Sequence, residues 1–225
     1  MKASNLHDWL VTPSQATSIQ QGLAGRLLTK GDLGDVRLVA GVDISVPKSA
    51  NIARGAVVVM SYPELELLET RTVEREIDFP YIPGLLSFRE APVILDVCAK
   101  LTNIPDLILV DGQGMAHPRR LGLASHLGLL WDKPTIGCAK SRLCGEHGSV
   151  GTDRGDSAKL IDGEETIGTV LRTRSNVKPL YISAGHRISL EAAVQLVLNC
   201  GRGYRLPEPT RLAHQAAGGQ LKTES

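Results

Sequence analysis

The sequence predicts an α/β protein, a mixed sheet with helices folded as one domain. Three observations carry that expectation. Three strand-like stretches lie close together between residues 37 and 77. After them, helical periodicity alternates with short apolar runs, the order expected of a mixed sheet with covering helices. The length, 225 residues with no internal repeat or low-complexity linker, fits one large domain, 1–225.

The elements follow in order. Residues 12–29 have helical spacing through Ile19, Leu23 and Leu27, with Ser14 as the start signal. RLVAGVDISV (37–46) is β-branched and apolar and reads as a strand; RGAVVVMSY (54–62) is a second. Residues 65–77 supply a third, with YPE (62–64) as the turn between. Residues 86–101 read as a helix that is kinked at Pro92 or begins near it. DLILVD (106–111) has the character of a short buried central strand ending in an acid. A helix over 119–131 and a strand over PTIGCA (134–139) come next. Residues 144–157, rich in Gly, Ser and Asp, read as a loop. Strands over 166–173 and 179–184, a helix from Ser189 to Cys200 and a last helix starting near Pro209 and ending at Gly218-Gly219 complete the chain.

Composition narrows the function classes. With 42% hydrophobic and 22% charged residues, the chain is an ordinary globular one. No apolar run approaches the roughly 18 residues of a membrane span. The start, MKASNLHDWL, lacks the apolar stretch of a secretory signal. Cys98, Cys138, Cys144 and Cys200 form no CxxC pair and read as reduced thiols of a cytoplasmic protein; a Cys138–Cys144 disulfide is the competing reading. Net charge is +1, yet between Arg172 and Arg211 seven Lys/Arg stand against Glu191 and Glu208. That permits a basic face for nucleic acid, and equally a solvated surface with scattered cations.

Two acids stand in apolar places. Asp43 lies mid-strand, sharing a face with Gly41 and Ser45 and opposite Val42 and Ile44. Asp111 ends the DLILV run and is followed by Gly112, Gln113 and Gly114. A carboxylate there is expensive unless paired or metal-bound, and two neighbours raise each other's pKa. Neither strand offers a cation beside its acid. A hard divalent ion such as Mg²⁺, which takes oxygen ligands and substrate phosphate, resolves the conflict and suits phosphoryl hydrolysis. Glu90 is the natural third acid; a solvated glutamate at a helix start is the alternative, and residue chemistry alone leaves both open.

The chain resembles the endonuclease V family of deoxyinosine-specific repair nucleases. The carrying segments are AGVDIS (40–45), YPELELLE (62–69), FPYIPGLLSFRE (79–90), PDLILVDGQGMAHPRRLGLASHLGLL (105–130), PTIGCAKSRL (134–143) and RLPEPTRLAH (205–214). They cover nearly the whole chain in family order; the departures lie between segments, chiefly at 144–160. The resemblance implies an RNase H-like mixed β-sheet flanked by helices. It also implies an Mg²⁺-dependent endonuclease, with Mn²⁺ able to substitute. Such an enzyme hydrolyses the second phosphodiester bond 3′ to inosine and leaves 3′-hydroxyl and 5′-phosphate ends, some relatives acting on RNA. Asp43, Glu90 and Asp111 match the family's acidic metal ligands. His214 matches a metal-site or water-contacting position, and Lys140 a cation that meets backbone phosphate. Pro80, Tyr81, Ile82 and Pro83 then form a stiff wedge that enters the base stack. Gly84, Leu86, Gly112, His117 and Leu143 line the pocket for the extruded base. Nothing demands an oligomer, and a monomer is expected. A structure-directed nuclease of the same fold and a non-catalytic reader of damaged nucleic acid are the competing functions; the first shares the acids but not the wedge, and the second requires loss of an acid.

Overall fold

A computed structural model of the chain describes residues 1–31, 33–46 and 51–221. Helix α1 (Pro13–Ala24) is followed by three antiparallel strands, β1 (Leu38–Ser45), β2 (Ile52–Ser61) and β3 (Leu67–Glu76). Then come α2 (Leu86–Ala99), β4 (Leu107–Val110), α3 (Leu123–Trp131) and β5 (Thr135–Ala139). The chain closes with β6 (Ser157–Asp162), β7 (Glu165–Leu171), β8 (Leu180–His186), α4 (Leu190–Asn199) and α5 (Glu208–Ala217). All eight strands join one mixed sheet in the order β3-β2-β1-β4-β5-β8-β7-β6. The β1–β4 and β4–β5 pairs are parallel, so the centre of the sheet is parallel and its two sides are antiparallel.

Strand alternation divides the core between the two faces. Ala40, Val42, Ile108 and Val110 face α2 and α3 through Ala91, Ile94, Val97, Leu123 and Leu127. Val39, Leu107, Leu109, Ile136 and Ile182 face α4 and α5 through Ala193, Val197, Leu212 and Ala213. Because both faces of the central strands are covered, β4 and β5 are buried at every position. That explains the uninterrupted apolar runs in the sequence.

The predicted architecture and most elements hold, with four corrections. Helix α1 is shorter than 12–29: Thr12, not Ser14, caps it in a capping box with Gln15, and it stops at Ala24 before Gly25. Helix α3 begins at Leu123 rather than 119, because Arg120 is left-handed (φ 58°) and Gly122 is the extended N-cap. Helix α2 runs through Pro92 instead of starting there. Strand β6, which follows the Gly/Ser/Asp-rich stretch, has no counterpart in the sequence reading. It pairs with β7 through the two-residue turn Gly163-Glu164, where Gly163 has φ 63°, a glycine-first hairpin signal visible in the sequence. All four cysteines are free, which removes the Cys138–Cys144 alternative. No helix among the described residues is long and apolar enough to cross a membrane.

Candidate active site

The parallel β1–β4 pair builds the centre of the site. Val42 is in register with Val110, so Asp43 and Asp111 are the next residues on adjacent strands and leave the sheet side by side. The Asp111 N–H donates to Val42 O at 3.2 Å, extending the ladder by one step. Both acids point to the face that α5 covers. That helix can lie there because residue 41 is glycine: a Cβ at this position would stand 2.1 Å from the Pro209 carbonyl carbon. Gly41 therefore seats α5 directly on β1, and one and a half turns on, His214 Nδ1 meets Asp43 Oδ2 at 2.6 Å. Ligand atoms of Asp43, Asp111 and His214 all lie within 4.8 Å of one another.

Charge in this cluster is only partly balanced. Burial and the neighbouring Asp111 raise the Asp43 pKa, against the lowering effect of His214, the Ile44 amide and Lys140. Glu90, on α2, is raised to about 7, by burial first and then by Asp43 and Asp111, with Arg89 offsetting a little. It is not one of the three groups within 4.8 Å, yet both carboxylates are close enough to act on it. Lys140 follows β5 as Asp111 follows β4, and its ammonium forms an ion pair with Asp111 Oδ2. Neither acid's own strand supplies a cation beside it; Lys140 comes from the next parallel strand. Lys140 contacts an acid here in addition to any role toward phosphate. Asp111 Oδ2 is nonetheless buried without a hydrogen bond of good geometry. Clustered carboxylates, a buried Asp111 oxygen whose one partner is the partly exposed Lys140, and an imidazole nitrogen fit a hard divalent cation. Asp43, Asp111 and His214 would hold it, with Glu90 beside them.

Next to the acids lies a cavity of about 340 Å³. All five pocket residues expected from the sequence, Gly84, Leu86, Gly112, His117 and Leu143, line it. Glu90, Asp111 and Lys140 border it too, so pocket and acids are continuous. Tyr81 overhangs it and is 68% exposed. Pro80 and Pro83 are also exposed. Ile82 differs: it is half-buried and packs on the cluster of Phe79, Leu85 and Phe88. It anchors the loop, and Tyr81 is the projecting side chain.

His117 stands in the cavity wall with both ring nitrogens engaged by protein. Its Nε2 donates to Gly84 O at 2.9 Å and its Nδ1 accepts from the Arg119 N–H at 3.1 Å. Burial pushes its pKa down to about 4, so the ring is neutral and both nitrogens are engaged by protein. It shapes the pocket wall and has no free nitrogen for a ligand. Gly84 is left-handed (φ 80°), a conformation glycine tolerates. Its carbonyl also accepts from Gln20 and Arg119, two residues the sequence reading missed. Gln20 had a visible signal: it is a polar residue in the buried α1 stripe of Ala16 and Leu23.

Acids at the ends of parallel strands, open to a cavity that an exposed aromatic overhangs, define a nuclease, a hydrolase of phosphodiesters. The family model described as Endonuclease V matches residues 21–215, and the chain belongs to that family, whose members are nucleases acting on DNA. It is 51% identical to an Endonuclease V of Dehalococcoides mccartyi over 96% of this chain and 97% of the relative. Among solved structures, Endonuclease V of Streptomyces avermitilis superposes with a TM-score of 0.88 at 39% identity, covering 94% of this chain and 93% of the other. A Ciona intestinalis Endonuclease V (D234N) was solved with a 23mer DNA containing an inosine followed by a ribo-adenosine; its TM-score is 0.81 at 30% identity, covering 93% and 98%.

Proposed function

We propose that this protein is a Mg²⁺-dependent endonuclease that recognises deoxyinosine and hydrolyses the second phosphodiester bond on its 3′ side, leaving 3′-hydroxyl and 5′-phosphate ends. The observation that carries the reading is the continuity of the Asp43–Asp111–His214 cluster with the cavity beneath Tyr81. The Ciona relative's complex with inosine-containing DNA supports the substrate. Inosine in RNA is a second candidate substrate, Mn²⁺ a second candidate ion, and the reading takes the chain as a cytoplasmic monomer.

A bound divalent ion would supply positive charge for water activation and for the leaving oxygen. The residues do the rest. Asp43 and Asp111 face the reacting phosphate from rigid strands, and His214 orients Asp43 through their hydrogen bond. Glu90 can hold a proton near neutrality. Lys140, 38% exposed on its side chain, can turn from Asp111 to a phosphate oxygen. Tyr81 fills the gap left by the extruded base, where aromatic stacking is worth about 1–3 kcal/mol, and the glycine-lined cavity receives the base.

The test is nicking of an end-labelled duplex carrying one deoxyinosine, with Mg²⁺, beside an adenine duplex and an Asp111→Ala control. One cut a nucleotide beyond inosine on its 3′ side, absent from both controls, is expected. Tight inosine binding without a cut would move the chain to the reader class.

A further inference from the structure

A polar hub behind the wedge loop braces two residues of the cavity wall, Gly84 and His117. Gln20, on α1, is 1% exposed. Its amide nitrogen donates to Gly84 O and to Leu121 O, each at 3.0 Å. Its amide oxygen accepts from Arg119 Nε at 2.6 Å. These partners fix the amide's orientation, since carbonyls need a donor and a guanidinium needs an acceptor. Arg119 turns its second arm onto Gly84 O at 2.7 Å, where His117 Nε2 also arrives. Three donors therefore converge on one carbonyl. The same peptide's N–H, on Leu85, donates to Ile82 O at 2.9 Å and closes the turn beside Tyr81. Linked hydrogen bonds polarise and strengthen one another. A continuous chain of them runs from α1, through the Gly84 peptide, to the wedge.

We infer that Gln20 and Arg119 are positioning residues that hold the wedge loop against the 117–121 loop, so that Tyr81 is ordered before nucleic acid arrives. The inference rests on the inosine-nuclease reading and deepens it. A wedge that must open a base stack works best when its own ordering is complete beforehand. Loss of the hub burdens entry into paired duplex and spares the acids, which sit on other elements. It also spares single strands, which have no pair to open.

The experiment compares wild type with Gln20→Met, which keeps length and removes the amide, and with Arg119→Lys, which replaces the planar fork that reaches Gln20 and Gly84 with a compact ammonium point charge. Steady-state cleavage is measured on a deoxyinosine duplex and on the same strand unpaired. For Arg119→Lys KM on duplex rises about tenfold or more while kcat, and both constants on the single strand, stay within about threefold; Gln20→Met, whose side chain also lines the cavity, is read by amide exchange. Amide exchange at Leu85 accelerates about tenfold in Gln20→Met, a readout independent of activity. Equal losses on paired and unpaired substrate, or no loss, overturn the inference. If wild type shows no preference for inosine, the functional reading fails separately, and unchanged Leu85 protection in Gln20→Met then rejects the hub. If Gln20→Met does not fold, Arg119→Lys decides by the same comparison of substrates.

Discussion

Glu90→Gln should stabilise the metal-free protein at alkaline pH while abolishing cleavage. Burial and the two aspartates raise the Glu90 pKa from its ordinary 4.5 to about 7. An acid with a raised folded pKa binds more protons folded than unfolded between those values, so the metal-free fold loses stability as pH rises from 4.5 to about 7 and stays at the lower level above. The full shift corresponds to about 3 kcal/mol; Glu90 retains some solvent contact, which leaves about 2 kcal/mol. Gln has the same shape and no charge, so it removes that cost. For a chain of this size about 2 kcal/mol amounts to ~4–8 °C in Tm. Thermal unfolding in EDTA from pH 5 to 8.5 measures it. The difference between Glu90→Gln and wild type should be smallest at pH 5 and grow to its full size by pH 8. Asp43 contributes a slope of the same sign in both proteins, lessened in the variant because a repelling neighbour is gone. Parallel curves across the range would refute the reasoning, because they would mean that Glu90 ionises as it does in the unfolded chain.

Four further outcomes follow from the geometry. Gly41→Ala places a Cβ 2.1 Å from Pro209 backbone, must lift α5 and part His214 from Asp43, and should lower kcat about tenfold or more at pH 7.5; an unchanged kcat would mean that α5 seating is irrelevant. Tyr81→Ala should reduce the inosine-over-adenine cleavage ratio by about tenfold, on the scale of one lost stacking interaction, with no change in Mg²⁺ affinity; a retained ratio rejects the wedge. His117→Ala should weaken inosine discrimination by loosening Gly84 and cost ~1–2 kcal/mol of stability in denaturant melts. Since wild-type His117 titrates near 4, the wild-type rate should show no inflection from it between pH 5.5 and 8. Leu109→Ala, at 0% exposure in the central strand, should destabilise by about 3 kcal/mol in urea unfolding; a loss below 1 kcal/mol would contradict the dense packing of that layer.

Much of this site was legible because strand chemistry is local. The face that Asp43 shares with Gly41 follows from period two alone, and Asp111 at the end of an all-apolar run marks a buried strand terminus. That these ends are adjacent is a fact of register, and register depends on distant pairing that no single segment encodes. The same gap hid the Lys140–Asp111 contact: each residue follows a short parallel strand, and only strand order makes them neighbours. The sequence places His117 at the pocket, but not how its nitrogens are engaged, because those partners come from other segments. Gln20 went unread because helical periodicity counts apolar residues, and a polar residue in the stripe looks like noise unless its satisfaction is asked about. Strand β6 went unread because it is short, with Leu160 its one buried residue, although the glycine-first Gly163-Glu164 turn marked its hairpin.

The arrangement of charge explains why the site is poised for a cation. Parallel register forces Asp43 and Asp111 together, and the sheet cannot relieve the repulsion by sliding without turning every core side chain to the wrong face. Relief comes from outside the pair: His214 bonds Asp43, and Lys140 pairs with Asp111 while lowering the Asp43 pKa more weakly. Glu90 has only the weak help of Arg89. With the three acids ionised and Lys140 charged, the cluster carries a net charge of about −2, which one divalent ion matches. Proton uptake by Glu90 near neutrality is the alternative way to lower that charge. Metal and proton therefore compete for the same imbalance, so metal affinity should rise with pH through the range where Glu90 titrates. The rigidity that keeps the core in register is thus what keeps the acids in conflict and the site ready for metal.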